Sequence, residues 1–240
     1  MGALGIANKP AEERSGWLRR QWSRGQGALT ALVLPCDCPI CGAEDDGRPW
    51  PFCEDCRGEL LDAAGRCCAR CAMTVGPFGA CRECRGRSFG FDRAIALGPY
   101  QGPLRALCLM LKHEPNAWLG PWLARLLIQA RPALRDEAAE DPQALITPIP
   151  LHWRRWWSRG YNQSDELTRA LAVPLGLRRA RLLRRVRSTP KLAGLGRVER
   201  ARVLRDAFRV RRPWSNRLKG RTVFLVDDIL TSGATCGAAA

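Results

Sequence analysis

The 240-residue chain lacks any apolar run long enough to cross a bilayer as a helix. It also lacks a recognisable secretory signal, because Met1–Gln26 is polar and charged and the apolar stretch Ala28–Leu34 is too short and begins too late. Residues 1–33 carry no motif and are predicted to form a basic, poorly ordered arm. These absences argue against a helical membrane protein and a secreted protein, so we expect a cytoplasmic protein without a membrane span.

Acidic residues are scarce, most of all in one region. The chain has 39 Lys and Arg against 23 Asp and Glu, for a formal net charge of +16. Between residues 151 and 221, 19 Arg and 2 Lys stand against 4 acidic residues, so this segment alone has a net charge of +17. A positive field of that size attracts nucleic acid, phosphorylated ligands or an anionic membrane surface. Alternatively, the arginines serve only to keep the surface soluble.

Cysteine, by contrast, is abundant, with ten of the twelve cysteines between residues 36 and 84. Four pairs have C-x-x-C spacing, which puts two thiolates on one side of a tight turn and suits a tetrahedral Zn²⁺. In an intracellular chain this pattern favours metal binding over disulfides. We predict two closed, structural zinc sites formed by Cys38, Cys41, Cys53, Cys56, Cys68, Cys71, Cys81 and Cys84.

The spacing leaves the pairing of these turns open. Sequential pairing, with the first four cysteines on one ion and the last four on the other, gives a double zinc ribbon. Crossed pairing of the first turn with the third and the second with the fourth is the alternative. Cys36 and Cys67 flank ligands and are left out of the prediction. Because four thiolates leave no open coordination position, we expect no chemistry at these sites.

Beyond residue 88 the pattern changes to that of an α/β domain. A helix with an N-cap at Ser164 is predicted after the strand at Ala144–Pro150. Arg184–Gly196 is predicted to be a mobile basic loop or, alternatively, a solvated linker, because residues 176–221 are dense in arginine and contain few strand-forming side chains. The other predicted elements are strands over Phe91–Leu97 and Ala144–Pro150 and helices over 104–111, Trp118–Ile128 and Arg197–Phe208.

The strongest ligand-binding signal lies near residue 227. Thr222–Val226 predicts a short buried strand, and two adjacent carboxylates, Asp227 and Asp228, follow it. A loop of hydroxyl side chains and glycine then leads into a predicted helix. Ligands of open α/β sheets bind beyond the carboxyl ends of strands, and free N–H groups at a helix start attract phosphate. Carboxylates that bind hydroxyl groups beside a phosphate cradle suit a ribose 5-phosphate.

Interleaved Trp and Arg residues follow the strand at Ala144–Pro150. Aromatic faces can stack on bases while guanidinium groups bind phosphates, and each stack contributes roughly 1–3 kcal/mol. The candidate nucleic-acid residues are Arg154, Arg155, Trp156, Trp157 and Arg159. The alternative is that some of these tryptophans belong to the core and the arginines cover the surface.

Taken together, these motifs resemble the ComF family of competence-associated, phosphoribosyltransferase-like proteins, to which the GntX proteins are related. The resemblance extends from about Leu34 to Ala240. In chain order its marks are Cys38–Gly42, Pro99–Leu104 with Leu111 and Lys112, Pro148–His152, Arg159–Gln163, Thr189–Lys191 with Gly194 and Leu195, and Asp227–Thr235. The last stretch also resembles the PRPP-binding motif of type I phosphoribosyltransferases.

The resemblance implies an α/β fold with a type I phosphoribosyltransferase-like parallel sheet flanked by helices over 89–240, preceded by a double zinc-ribbon module over 34–88. It implies binding of PRPP with Mg²⁺. Asp227 and Asp228 would bind the ribose hydroxyls, the Pro148–His152 loop would face the pyrophosphate and Mg²⁺, and Arg184–Gly196 would close over the site. The implied PRPP-binding residues are Asp227, Asp228, Ile229, Leu230, Thr231, Ser232, Gly233, Ala234, Thr235, Lys112, Pro150 and His152.

The implied role is handling of incoming single-stranded DNA in natural transformation, alongside a helicase and recombination proteins. Two alternatives stay open: an active Mg²⁺-dependent phosphoribosyltransferase with an unidentified acceptor, and a scaffold in which the zinc module docks partners beside a vestigial PRPP site. The chain departs from the family pattern at Leu192, where Gln is usual, and at Val203, where Asn is usual. No catalytic residue is assigned. Because the chain stops at Ala240, where relatives continue, we expect an incomplete sheet of reduced stability.

Overall fold

The computed structural model describes residues 37–44, 49–76, 81–84, 86–153, 156–157, 160–190 and 194–240. The predicted N-terminal arm, Cys36, Arg154, Arg155, Arg159 and Leu192 lie outside these ranges. The chain divides into two units between Cys53 and Glu54, and the domain boundaries predicted near residues 33 and 88 stay predictions. Within the described ranges, no helix has the length and apolar character needed to span a membrane.

The elements are numbered in chain order over the described residues. The helices are α1 (Glu54–Asp62), α2 (Gly102–Met110), α3 (Leu119–Ala130), α4 (Ala133–Glu140), α5 (Gln163–Ala172), α6 (Arg197–Leu204) and α7 (Ala234–Ala239). The strands are β1 (Leu145–Pro148), β2 (Arg178–Arg179), β3 (Leu183–Arg185), β4 (Phe208–Val210) and β5 (Val223–Val226). Short 3₁₀ turns cover Ala63–Arg66, Glu114–Asn116 and Arg212–Trp214.

The cysteine-rich region is built from a turn that occurs twice. In the first unit, Gly42 N–H donates to Cys38 O and Cys38 N–H donates to Ala43 O, both at 2.8 Å. In the second unit, Ala72 N–H donates to Cys68 O at 2.9 Å and Cys68 N–H donates to Met73 O at 2.8 Å, in the same pattern. Gly42 has a φ of +74° in this turn and Ala72 a φ of +56°. Since a positive φ is strained for alanine, the second turn stores a local cost that the first avoids.

Three parallel strands form the central sheet, in the order β2–β1–β5. Strand β1 pairs along its whole length with β5, from Leu145 opposite Val223 to Pro148 opposite Val226. Because the two strands run in the same direction and end at the same level, their C-terminal loops leave the sheet side by side. The predicted parallel sheet flanked by helices is therefore confirmed.

Strand β1 is buried on both faces. Ile146 packs with residues of α3 and α5 such as Ala124 and Leu171, whereas Leu145 packs with Leu182 on the opposite face. Alternation of side chains across the strand explains this division. Full burial of each such aliphatic side chain contributes about 1.5–3 kcal/mol. The residues of β5 are half-buried rather than buried as predicted, since in the described part of the sheet β5 has a neighbour on one side only.

Helix α5 begins at Gln163, and its N-cap is Asn162 rather than the predicted Ser164. The Asn162 side-chain oxygen accepts from Ser164 N–H at 3.2 Å, and Asn162 Nδ2 donates to Ile149 O at 3.0 Å. Asp165, in the first turn, accepts from Arg179 at 2.6 Å and from Arg181 at 2.9 Å. Burial opposes ionisation of Asp165, but the two arginines outweigh it and lower its pKa.

The arginine-rich segment contains more strand than predicted. Part of the predicted loop forms β3, which pairs in antiparallel orientation with β4, and Phe208 belongs to β4 because α6 ends at Leu204. Leu183 and Phe208 are buried and anchor this hairpin. Arg184 and Arg209 lie directly opposite each other and are exposed. Burial of two apolar side chains therefore holds a pair of like charges together.

The predicted strand Phe91–Leu97 is wrong. The segment forms a single β-bridge, between Ala94 and Cys71. The neighbouring chain turns at Cys71, so it does not run beside the segment far enough to form a strand pair. The helices predicted over 104–111 and Trp118–Ile128 are confirmed as α2 and α3, and the strand predicted over Ala144–Pro150 is confirmed as β1.

Candidate functional site

Three elements meet at the carboxylate pair that follows β5. Ser164 Oγ, from the first turn of α5, donates to Asp227 Oδ1 at 3.1 Å. Asp228 N–H donates to the same oxygen at 3.0 Å, and Cys108 Sγ, from α2, lies 3.8 Å from Asp228 O. The sequence indicated the carboxylates but gave Ser164 only a helix-capping role, so its contact with Asp227 was missed.

Asp227 is held in an unfavourable electrostatic environment. Desolvation of its carboxyl is the largest effect and the charge of Asp228 adds to it, and together they raise the pKa of Asp227 to about 8 despite the hydrogen bond from Ser164. A carboxyl group that is costly to ionise is typical of a ligand site rather than of a surface. The same burial raises the pKa of the Cys108 and Cys236 thiols to about 12, so neither is a ready nucleophile.

The loop between β5 and α7 contains an unsatisfied polar group. Ser232 Oγ is buried and has no hydrogen-bond partner, which a ligand oxygen would supply. Gly233 has a φ of +74°, and a Cβ at this position would lie 3.2 Å from the Phe91 ring. Glycine is therefore required both by the backbone conformation and by the space available. Of the remaining loop residues, Thr231 is exposed, and Ile229, Leu230, Ala234 and Thr235 are half-buried.

Arg200, on α6, contacts this loop, although no sequence pattern indicated it. Its Nη1 donates to Thr231 Oγ1 at 2.7 Å, and its Nε donates to Leu195 O at 3.0 Å. Helix α6 thus brings a guanidinium group to the hydroxyl loop from 31 residues away in the chain. Among many arginines in this segment, no local pattern distinguishes Arg200, so only the fold identifies it.

The remaining predicted ligand residues lie on neighbouring segments. Lys112 follows α2, and its carbonyl accepts from Gln163 Nε2 at 3.4 Å. Its charge opposes the rise in the pKa of Cys108, the thiol beside Asp228. Pro150 is half-buried and His152 is buried in the loop after β1. This loop leaves the sheet beside the Asp227 loop, as the pairing of β1 with β5 requires.

An open cavity of about 830 Å³ reaches the carboxylate pair. Asp227 and Asp228 are among its lining residues, together with many apolar residues, including those of β5 and Phe91, and a few charged ones such as Arg93 and Glu137. Because charged groups lose hydration against apolar walls, a charged ligand in this cavity would be favoured beside its polar lining residues.

The tryptophans after β1 are at the surface. Trp153 is 60% exposed, Trp156 50% and Trp157 75%, and the rings of Trp156 and Trp157 meet edge to face with centroids 6.2 Å apart. The alternative that these tryptophans belong to the core is therefore wrong for all three. Large exposed aromatic groups in a basic segment are available for stacking.

The cysteines form two clusters, grouped sequentially rather than crossed. In each cluster the four sulfur atoms lie within 4.8 Å of one another. The Sγ–Sγ distances are 3.6 Å for Cys41 and Cys53, 3.7 Å for Cys68 and Cys84 and 3.6 Å for Cys71 and Cys81. Four sulfurs about 2.3 Å from a tetrahedral Zn²⁺ stand about 3.8 Å apart. Both clusters therefore suit a metal ion.

Some of these thiols are prepared for ionisation. Backbone N–H groups, first that of Cys71, lower the pKa of Cys68 to about 6. Burial opposes ionisation of Cys38, but N–H groups of Cys53, Cys41 and Ile40 outweigh it and lower its pKa to about 6. Burial raises the pKa of Cys71, which keeps its proton next to thiolate neighbours. Since a metal ion binds thiolates, it would replace the protons that such a cluster otherwise shares.

The Asp227 environment predicts a pH-dependent effect of Asp227→Asn. Between about pH 4 and pH 8, Asp227 is ionised in the unfolded chain but stays protonated in the folded protein. The folded protein therefore loses stability as the pH rises through this range. Asn keeps the acceptor for Ser164 but carries no charge. We expect Asp227→Asn to stabilise the fold by on the order of 2–5 kcal/mol at pH 8 and by much less at pH 5, in thermal denaturation followed by circular dichroism.

Asp136→Asn, at an exposed position of α4, is the matched control and should shift neither curve. An Asp227→Asn gain that is equal at both pH values would contradict an ionisation penalty.

A comparison with curated proteins finds relatives along most of the chain. Competence protein F of Haemophilus influenzae is 32% identical over 199 residues, which cover 76% of this chain and 86% of the relative. DNA utilization protein YhgH of Salmonella typhi is 31% identical over 206 residues, covering 85% and 88%. The protein of the same name in Escherichia coli K12 is 29% identical over 208 residues, with the same coverage of 85% and 88%. No family model matches the chain, and no solved structure matches it.

The identity to Competence protein F extends over about three quarters of this chain and most of the relative. It agrees with the family that the motifs predict. The chain belongs to the ComF family.

Proposed function

We propose that the loop after β5 binds PRPP. The observation that carries the proposal is the carboxylate pair, in which Asp227 is kept desolvated beside Asp228 at the end of a parallel strand. Such a pair lowers the stability of the folded protein, and a ligand that donates hydroxyl hydrogens to both carboxylates compensates. The two ribose hydroxyls of PRPP are adjacent donors of this kind.

The remaining groups fit the phosphates of the same ligand. The buried Ser232 Oγ and the exposed Thr231 Oγ1 offer hydroxyls to the 5-phosphate, with the Arg200 guanidinium beside them. Within the described ranges, the clusters of three or more potential metal ligands consist of cysteines. In this proposal Mg²⁺ therefore arrives with the pyrophosphate, near the Pro148–His152 loop, and is not held by a protein cage of its own.

The test is a calorimetric titration of PRPP with Mg²⁺. Asp227→Asn combined with Asp228→Asn removes both carboxyl groups that would accept from the ribose hydroxyls, so we expect affinity to fall by about 100-fold. Asp136→Asn again serves as the control, with unchanged affinity. Wild-type protein that binds no PRPP, or a double variant that binds as well as wild type, would rule out the proposal.

We propose further that both cysteine clusters hold structural Zn²⁺. The thiol-only ligand sets and the spacing of about one tetrahedral edge between sulfurs support this choice of metal. The zinc would supply stability and no chemistry, because four thiolates complete its coordination. The described residues of the cysteine-rich region contain one α-helix, α1, one 3₁₀ turn and no strand, so metal binding contributes directly to the folding of this region.

We expect about two zinc ions per chain, and strong chelation should expose the module to protease. Cys68→Ser should lower the zinc content by about one. Cys67→Ala is the matched control, because Cys67 is adjacent to Cys68 but is not a member of either cluster. Metal content is measured by atomic emission; a wild-type chain purified without zinc that folds normally would contradict the assignment.

A second proposal is that the exposed tryptophans bind single-stranded DNA. The specific observation is that three tryptophans within five residues, Trp153, Trp156 and Trp157, are at least half exposed in the segment of net charge +17. The names of the relatives, Competence protein F and DNA utilization protein, support a role in the uptake or use of DNA. Bases stacked on these rings would bring their phosphates to the surrounding arginines.

We expect Trp156→Ala with Trp157→Ala to weaken binding of a labelled single-stranded oligonucleotide by about tenfold or more, measured by fluorescence anisotropy. Affinity of the wild type should fall steeply as salt rises. Trp118→Ala is the control, since Trp118 is exposed but belongs to another segment. If the control and the double variant lose the same affinity, the stacking surface is not at these rings.

A further inference from the structure

A short series of polar contacts connects the second cysteine cluster to the Thr231–Thr235 loop. Glu83 lies inside the last C-x-x-C pair, between Cys81 and Cys84. Its carboxylate accepts from Arg87, four residues further on, at 2.7 Å. The same carboxylate oxygen forms an ion pair with Arg197, which is 114 residues away and is the first residue of α6. The cluster is thus attached to a helix outside the cysteine-rich region.

Helix α6 continues this series to the ligand site. Arg200 lies three residues after Arg197, so both side chains project from the same side of the helix. Arg197 reaches the Glu83 carboxylate, and Arg200 reaches Thr231 Oγ1 at 2.7 Å. One turn of helix therefore contacts the cysteine turn and the hydroxyl loop at once.

Polar contacts decide where the first turn of α6 lies, because it has little apolar anchorage. Leu204, in its last turn, is the buried residue of the helix, while Val198 is 82% exposed. The helix has eight residues, and helices this short are held by tertiary contacts rather than by their own propensity. Loss of the Glu83 contact leaves the N-terminal turn with weaker restraint.

We propose that the second cysteine cluster, through Glu83 and Arg197, positions Arg200 as a ligand for a phosphoryl group bound at the Thr231–Thr235 loop. Arg200 is the anion-binding residue, and Glu83 and Arg197 are positioning residues. A metal ion in the cluster would hold Cys81 and Cys84, and with them Glu83, in one conformation. Occupancy of the cluster is then coupled to the anion affinity of a loop in a different part of the fold. The identity of the ligand as PRPP rests on the proposed function, whereas the link from Glu83 to Arg200 does not.

The chain offers a matched control for Glu83. Glu54 also lies inside a C-x-x-C pair, between Cys53 and Cys56, and it pairs with Arg57 of its own helix at 2.7 Å. Glu54→Gln removes the same charge from the corresponding C-x-x-C pair of the other cluster, one position earlier in the pair, without removing a contact to α6. An effect that Glu83→Gln has, Glu54→Gln lacks and Arg197→Gln reproduces belongs to the contact with Arg197, because Glu83 also pairs with Arg87.

The sign of the Glu83 effect separates positioning from simple electrostatics. Removing a negative charge near a basic surface strengthens anion binding if charge alone matters. Positioning predicts the opposite, because Arg200 loses its restraint. The pair of Glu83 and Arg197 is 38% and 48% exposed, so its contribution is modest. We expect Glu83→Gln to weaken binding about two- to fivefold.

The experiment titrates inorganic phosphate and PRPP with Mg²⁺ into wild type and variants whose zinc content has been measured. Arg200→Gln should weaken both ligands about tenfold. Arg197→Gln should weaken them as Glu83→Gln does, the double variant should be no weaker than either single one, and Arg197→Lys should restore most of the affinity. Tighter binding by Glu83→Gln, or equal binding by Glu83→Gln and Glu54→Gln, overturns the proposal. Arg197→Gln keeps the test valid if Glu83→Gln loses metal, because Arg197 lies outside the cluster.

Amide hydrogen exchange without ligand separates this proposal from the PRPP assignment. Glu83→Gln and Arg197→Gln should speed exchange in residues 197–204, and Glu54→Gln should not. If wild type binds neither phosphate nor PRPP, the PRPP proposal fails and the exchange result decides the positioning role alone. Unchanged exchange in α6 of both variants overturns it.

Discussion

The parallel pairing of β1 with β5 is the constraint on which the site depends. These strands are separated by more than seventy residues in the chain, yet Pro148 lies opposite Val226 at their ends. Because the register is fixed by burial of β1 on both faces, a shift by one residue would turn Leu145 and Ile146 to the wrong clusters. The loop with His152 and the loop with Asp227 therefore emerge together, and Ser164, carried on the helix that follows the first loop, can reach the carboxylate of the second.

The groups gathered at this end of the sheet are arranged at the expense of the protein's own stability. Asp227 is desolvated next to a second carboxylate, Ser232 Oγ has no partner, and Arg200 lies over a hydroxyl loop from a helix with one buried residue. Native cores avoid such groups, and they are retained where a ligand completes them. The cysteine clusters show the complementary arrangement, in which backbone N–H groups lower the pKa of selected thiols and so favour a bound cation.

Features that depend only on residues close together in the sequence could be predicted. The C-x-x-C spacing indicated both cysteine clusters, and the apolar run before Asp227 indicated β5, because a local pattern determines each. Strands β2, β3 and β4 could not be predicted, since arginine is not a strand former and β3 pairs with β4 because the fold buries Leu183 and Phe208. The roles of Ser164 and Arg200 were missed for the same reason, as each depends on a contact made across at least 31 residues of chain. The role of the Asp227–Thr235 loop as a PRPP site stays a prediction.

The facing arginines of the β3–β4 hairpin give the protein a dependence on the ions around it. Arg184 and Arg209 are directly opposite, a distance of about 5 Å between Cβ atoms, and their repulsion opposes the pairing that Leu183 and Phe208 favour. An anion bound between the two guanidinium groups would cancel that repulsion in the folded chain but not in the unfolded one. Anions would therefore stabilise this hairpin, and multivalent anions would do so more than chloride at equal concentration. The solution composition in which the chain is kept becomes one of the determinants of how firmly its basic segment is folded.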